Sequence, residues 1–138
     1  MIPQGSVLGP LLFSVYTSPI GEVVSKFGVH FHQFADDMLI YLALSDTSNN
    51  LVTLDQCTNA VKAWYLQNDL LLNANKSEVM FVGTTKSLES VKNVTSVNVA
   101  GTSLPVTKEI KSLGVILDSR LNLDSHVRAV CKSCRYHT

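Results

Sequence analysis

Apolar and polar residues fall in blocks along this chain, and the block boundaries predict most of its elements. Leu11, Leu12, Val15, Ile20, Val23 and Val24 give a loose apolar helical face behind Pro10. Proline suits the first turn of a helix, where its missing N–H is not needed. Pro19 and Gly21 bend or interrupt this helix, and Gly28 ends it. Two apolar runs then flank a pair of carboxylates: Val29 to Phe34 before Asp36 and Asp37, and Met38 to Leu44 after them. They predict a strand, a tight turn and a returning strand. The second run is apolar throughout, which predicts a strand covered on both faces.

Ser45 to Asn50 is a polar break with several candidate N-caps. A helix from about Leu51 to Gln67 follows, with Leu51, Leu54, Thr58, Val61, Trp64 and Tyr65 on one side. Asn68 to Asn75 reads as a turn-rich connector, Val79 to Val82 as a strand, and Thr84 to Asn93 as a polar surface loop. Val94 to Val106 reads as short strands joined at Gly101, Glu109 to Leu117 as another strand, and Leu123 to Arg135 as a final helix. This mixture predicts an α+β fold.

Composition changes the picture in three places. The chain has 138 residues, 46% of them hydrophobic, enough to bury the core of one domain. No apolar run approaches the ~20 residues of a membrane span. Val7 to Tyr16 lacks a basic flank and is broken by Gly9 and Pro10, so it is not read as a signal peptide. The expectation is an intracellular chain, nuclear or cytoplasmic and not secreted. Three cysteines, an odd number, argue against a disulfide framework. The net charge is zero, which does not by itself suggest a nucleic-acid enzyme, although Lys108, Lys111, Arg120, Arg128, Lys132 and Arg135 cluster late. An ordinary solvated surface is the competing reading of that cluster.

The candidate chemistry centres on Asp36 and Asp37. Adjacent carboxylates between apolar runs are costly unless something cationic neutralises them. At the tip of a hairpin they would seat hard divalent cations such as Mg²⁺, which prefer oxygen ligands and serve phosphoryl transfer. Taken alone, the pair also fits a solvated β-turn. Cys131, Cys134 and His137 show three zinc-type ligands where a structural site needs four, so two cysteines one helical turn apart is the simpler account. His30 and His32 lie on the first strand, as packing or surface residues.

Four blocks in order carry a resemblance: Pro3 to Phe13 (PQGSVLGPLLF); Phe34-Ala35-Asp36-Asp37; Trp64 with Asn68 and Leu70 to Glu78; and Leu113 to Asp118 with Leu121 and Asn122. The chain resembles the reverse transcriptases of non-LTR (LINE-type) retrotransposons. That resemblance implies a polymerase palm-like antiparallel sheet with packed helices, incomplete at its N-terminus and running into the start of a thumb. Residues 1–106 would be partial palm, and 107–138 a primer-grip-like hairpin with the first thumb helix. It implies an RNA-directed DNA polymerase working by two-metal nucleotidyl transfer, with Mg²⁺ or Mn²⁺, an RNA template, a DNA primer and a dNTP, and no membrane.

Residue by residue, the resemblance makes Asp36 and Asp37 catalytic metal ligands, Asp36 the principal one. Lys76 would stand at the departing pyrophosphate; the competing reading is an exposed lysine paired with Glu78. Gln4, Gly5 and Phe34 would lie beside the nucleotide and templating base, and Leu113 and Gly114 would position the primer. Trp64 is expected in the core rather than as a stacking platform. The family also carries a catalytic aspartate upstream of the Pro-Gln-Gly block, absent from these residues. The expectation is a chain inactive by itself, the alternative a non-catalytic remnant that binds nucleic acid or protein. Met38 is a further departure, at a place usually polar.

Overall fold

A computed structural model describes residues 7–136 of the chain. The elements are α1 (Gly9–Thr17), α2 (Ile20–Ser25), β1 (His30–Phe34), β2 (Asp37–Tyr41), α3 (Thr47–Gln67), a short 3₁₀ helix (Ala74–Lys76), α4 (Thr85–Ser90), β3 (Ser96–Val99), β4 (Thr102–Pro105), β5 (Glu109–Ser112), β6 (Val115–Asp118) and α5 (Asp124–Tyr136). The fold is α+β, with three separate sheets that each pair two consecutive strands. The described residues form two compact units. One runs to Ala74 and includes Asn98–Gly101; the other takes Asn75–Val97 and the chain from Thr102 onward.

In the first unit, Pro10 sits in the opening turn of α1, and Pro19 is the N-cap of α2. The break between them follows from the missing N–H of Pro19. Helix α1 buries only Thr17, whereas the short α2 buries Ile20 and Val24. Helix α3 opens at Asp46, whose side chain accepts from the Asn49 N–H, and it buries Cys57, Thr58, Val61 and Tyr65 along one stripe. The core joins Ile20, Val24, Val29, Cys57, Val61 and Tyr65, with Phe31, Met38, Ile40 and Trp64 packed against it. Each fully buried aliphatic side chain contributes about 1.5–3 kcal/mol. Gly21 allows α2 to approach β1, since a Cβ there would lie 3.1 Å from the Phe31 ring.

Three expectations are corrected. Strand β2 is not covered on both faces: Met38 and Ile40 face the core, while Leu39 and Tyr41 are 42% and 52% exposed. An apolar run reports hydrophobicity, not the number of layers around it, and this sheet has two strands. Val79 to Val82 forms no strand, only an isolated parallel bridge between Val79 and Val106, supported by the Thr107 N–H and hydroxyl donating to the Val79 carbonyl. The polar stretch after Thr84 is not all loop. It contains α4, capped by the Thr84 hydroxyl accepting from the Ser87 N–H, and with no buried residue α4 leaves no apolar periodicity to detect.

The turn between β3 and β4 is held by α3. Ala100 is fully buried in a left-handed conformation (φ 51°), followed by Gly101 (φ 80°). Its N–H donates to Thr58 Oγ1 at 2.9 Å, and its carbonyl accepts from Lys62 Nζ at 2.9 Å. Removing the acceptor for a buried N–H costs about 1–3 kcal/mol. Thr58→Val should therefore lower stability by about that amount in urea unfolding followed by Trp64 fluorescence, while Thr58→Ser stays close to the parent. Equal stability of both variants would show that the bond contributes nothing.

Candidate functional site

Asp36 and Asp37 sit where β1 turns into β2. The strands pair antiparallel with His30 opposite Tyr41, His32 opposite Leu39 and Phe34 opposite Asp37, so the loop is only Ala35-Asp36. Those three pairs make the exposed face of the hairpin, while Phe31, Gln33, Met38 and Ile40 point toward the core. Asp37 thus shares a face with Phe34, Leu39 and Tyr41, and the His30 ring stacks on Tyr41 with centroids 5.5 Å apart. Asp36 stands off the ladder on the turn, and its charge is felt on the α3 side. Burial, and then the Asp36 carboxylate, push the Tyr65 phenol above its ordinary value.

Both aspartates are exposed, and among the described residues neither carboxylate accepts a hydrogen bond or forms an ion pair. Adjacent, unpaired carboxylate oxygens are the donor set that Mg²⁺ or Mn²⁺ takes. Among the described residues no group of three or more His, Cys, Asp or Glu side chains is gathered for a metal.

The turn is strained and tied down. Ala35 has φ 51°, a left-handed conformation that costs a residue with a Cβ about 1–2 kcal/mol. Gln33 Nε2 donates both to the Ala35 carbonyl and to Thr17 Oγ1, each at 3.1 Å. The Thr17 hydroxyl in turn donates to the Phe13 carbonyl at 2.9 Å. Nearby, the Tyr16 hydroxyl donates to the Asn68 carbonyl at 2.9 Å, which ties α1 to the end of α3.

The other expected site residues are scattered. Gln4 and Gly5 lie outside the described residues, as does His137. Phe34 is 61% exposed on the face that carries Asp37. Trp64 packs against the core and meets Tyr65 edge-on, in the structural role expected of it. Lys76 is exposed at the end of the 3₁₀ helix in the second unit, and it forms no ion pair with Glu78. Leu113 and Gly114 form the turn of the β5–β6 hairpin with φ 48° and 84°, so the stretch expected as one strand is two. Cys131 and Cys134 are exposed on α5.

Asp118 closes the β5–β6 hairpin. Its carboxylate accepts from the N–H groups of Arg120 (2.9 Å), Asn122 (3.2 Å) and Leu123 (2.7 Å). Desolvation works against the charged form, but those donors and the Arg120 charge outweigh it and hold the carboxyl below its ordinary value. The cap shapes a turn with two leucines, Leu121 and Leu123, at φ 55° and 61°.

Comparison with known proteins supplies the family. The sequence model described as reverse transcriptase (RNA-dependent DNA polymerase) matches residues 1–117. The chain belongs to the reverse transcriptase family. Over 97% of its length it is 29% identical to the RNA-directed DNA polymerase from mobile element jockey of Drosophila funebris. Over 96% it is 27% identical to the probable RNA-directed DNA polymerase from transposon BS of Drosophila melanogaster. In both cases the chain spans 15% of the relative's own length. No solved structure gives a significant match. Among the described residues, no helix is long and apolar enough to cross a membrane.

Within this reverse transcriptase segment, sequence reasoning singled out the Asp pair as a candidate and did not foresee which side chains meet it. Gln33, Thr17 and Tyr65 carry signals that were available: an amide at an inward position of a strand, and hydroxyls within apolar helical faces.

Two outcomes follow from this geometry. Ala35→Gly should leave stability unchanged or raise it by up to about 1 kcal/mol, while Ala35→Val should lower it by more than that in thermal unfolding, because only glycine adopts the turn without strain. Asp118, with a lowered carboxyl pKa, stabilises the fold in full above the ordinary carboxylate value, and that stabilisation is lost as the pH falls through the lowered one. Asp118→Asn should therefore weaken the chain at neutral pH and converge with the parent in acid, read from α5 helicity across a pH series. A constant difference at every pH would show that the charge is not what caps the turn.

Proposed function

We propose that this chain is the part of a retrotransposon RNA-directed DNA polymerase that presents two of its metal-binding carboxylates, Asp36 and Asp37. The observation that carries the reading is their placement: unpaired, adjacent and exposed at a two-residue hairpin turn, in a chain of the reverse transcriptase family. Residues 1–106 are then palm and 107–138 the primer-grip-like hairpin and first thumb helix. Asp36 and Asp37 would hold Mg²⁺ or Mn²⁺, which when bound neutralises phosphate charge and makes the primer 3′-hydroxyl more acidic.

The remaining roles belong to the chain. The exposed hairpin face, with Phe34, Leu39 and Tyr41 beside Asp37, offers apolar and aromatic surface against which a nucleotide or primer base stacks. Lys76 would place a cation where pyrophosphate departs, Gln4 and Gly5 would border the incoming nucleotide, and the Leu113-Gly114 turn would support the primer end. An RNA template, a DNA primer and a dNTP are the partners of this reading. A second reading has one favourable observation: Arg128, Lys132 and Arg135 line one flank of α5 with Cys131, which suits non-catalytic contact with a nucleic-acid backbone.

Primer extension on an RNA template with Mg²⁺ tests the proposal. The 138-residue chain should be inactive alone, because two carboxylates are one short of the family's set. Fused to the upstream segment of a jockey-type relative, it should extend the primer, and Asp36→Asn should reduce that extension at least about a hundredfold. Extension unaffected by Asp36→Asn would overturn the assignment. Binding that falls steeply with salt and survives that substitution, with no extension by the fusion, would favour the second reading.

A further inference from the structure

The hydrogen bonds around Gln33 join two stretches of chain that the proposed site needs in register. They run from the Phe13 carbonyl to the Thr17 hydroxyl (2.9 Å), from there to Gln33 Nε2 (3.1 Å), and on to the Ala35 carbonyl (3.1 Å). Phe13 ends the Pro3–Phe13 block, and Ala35 is the residue before Asp36. We infer that Gln33 and Thr17 are positioning residues, a polar relay that sets the Asp36–Asp37 turn against the helix beginning at the first motif block. The inference rests on the reading of that turn as a divalent-cation site.

Three physical points carry it. The Ala35 carbonyl belongs to the peptide plane that precedes the Asp36 Cα, so holding the carbonyl fixes the direction in which the Asp36 side chain leaves the backbone. Ala35 needs that support, because its left-handed φ leaves the turn less stable than its alternatives. Thr17 is an anchor and not a surface contact: it is 1% exposed and uses its hydroxyl as donor to Phe13 and acceptor from Gln33 at once. Glutamine meets the demand on the hairpin side without introducing a charge. Its amide nitrogen has two hydrogens, one for each acceptor; asparagine is a methylene short and an ionised glutamate has none to donate. Burial does not do this work for α1, whose Leu11, Leu12 and Val15 are exposed.

The test is a Mn²⁺ titration of the 138-residue chain, read as paramagnetic broadening of the amides around Asp36 and Asp37. Asp36→Asn serves as the metal-site control. Gln33→Met keeps the side-chain volume and removes both donors. It should weaken Mn²⁺ binding about three- to tenfold, the factor expected for one hydrogen bond, and leave hydrogen-exchange protection of α3 intact. Thr17→Val should weaken binding similarly, the double variant should be little worse than either single one, and Thr17→Ser should bind as the parent does.

Parent-like binding by Gln33→Met, with binding lost in Asp36→Asn, overturns the relay and leaves the metal reading standing. Weakened binding that tracks a loss of α3 protection in every variant also overturns it, since the residues would then serve the fold alone. No saturable Mn²⁺ binding by the unsubstituted chain overturns the metal reading and the relay with it.

Discussion

The first unit depends on the apolar contact of α2 and the inner hairpin face with one stripe of α3. Ile20, Val24 and Val29 meet Cys57, Val61 and Tyr65 there, and these are among the least exposed residues of the chain. The hairpin that carries Asp36 and Asp37 inherits its position from that contact. With Phe31, Met38 and Ile40 drawn inward, the pleat forces Phe34, Asp37, Leu39 and Tyr41 outward, because successive strand residues point to opposite faces. Asp37 is presented by the same rule that buries its neighbours.

In both units the chain places residues with a Cβ in left-handed turns and ties those turns with side chains or backbone groups. Ala35 is held at its carbonyl by Gln33. Ala100 is held at both its N–H and its carbonyl by Thr58 and Lys62. Leu121 and Leu123 donate to Asp118, the first to its carbonyl and the second to its carboxylate. Each such conformation is unfavourable locally, and a hydrogen bond offsets it. The ties at Ala35 and Asp118 come from residues close in sequence, whereas those at Ala100 come from α3.

This arrangement bears on the proposed metal site because Asp36 occupies one of those turns. A carboxylate ligand must be held within a fraction of an ångström to serve a metal, and strand termini hold side chains better than free loops do. Asp37 is placed by the β2 ladder, and Asp36 by a turn braced from α1. Helix α1 exposes most of its apolar side chains and is joined to the unit by the hydroxyls of Tyr16 and Thr17. Polar ties of this kind fix direction more sharply than burial, which is indifferent to orientation.

Local chemistry made much of this protein readable from its sequence. Pro10 marks the first helix start and Pro19 the interruption after it, because a ring without an N–H is poorly tolerated inside a helix, and the α3 stripe was visible as helical periodicity. The order of four motif blocks disclosed the family, since such residues in such an order seldom arise by chance. Tertiary structure decided the rest. The layers around β2, the bridge at Val79 in place of a strand, and the pairing of Gln33 with Thr17 depend on which distant segments meet. Hydrophobicity along a chain says that a residue will be buried; the partner that buries it, or that takes its hydrogen bond, is fixed only when the chain folds.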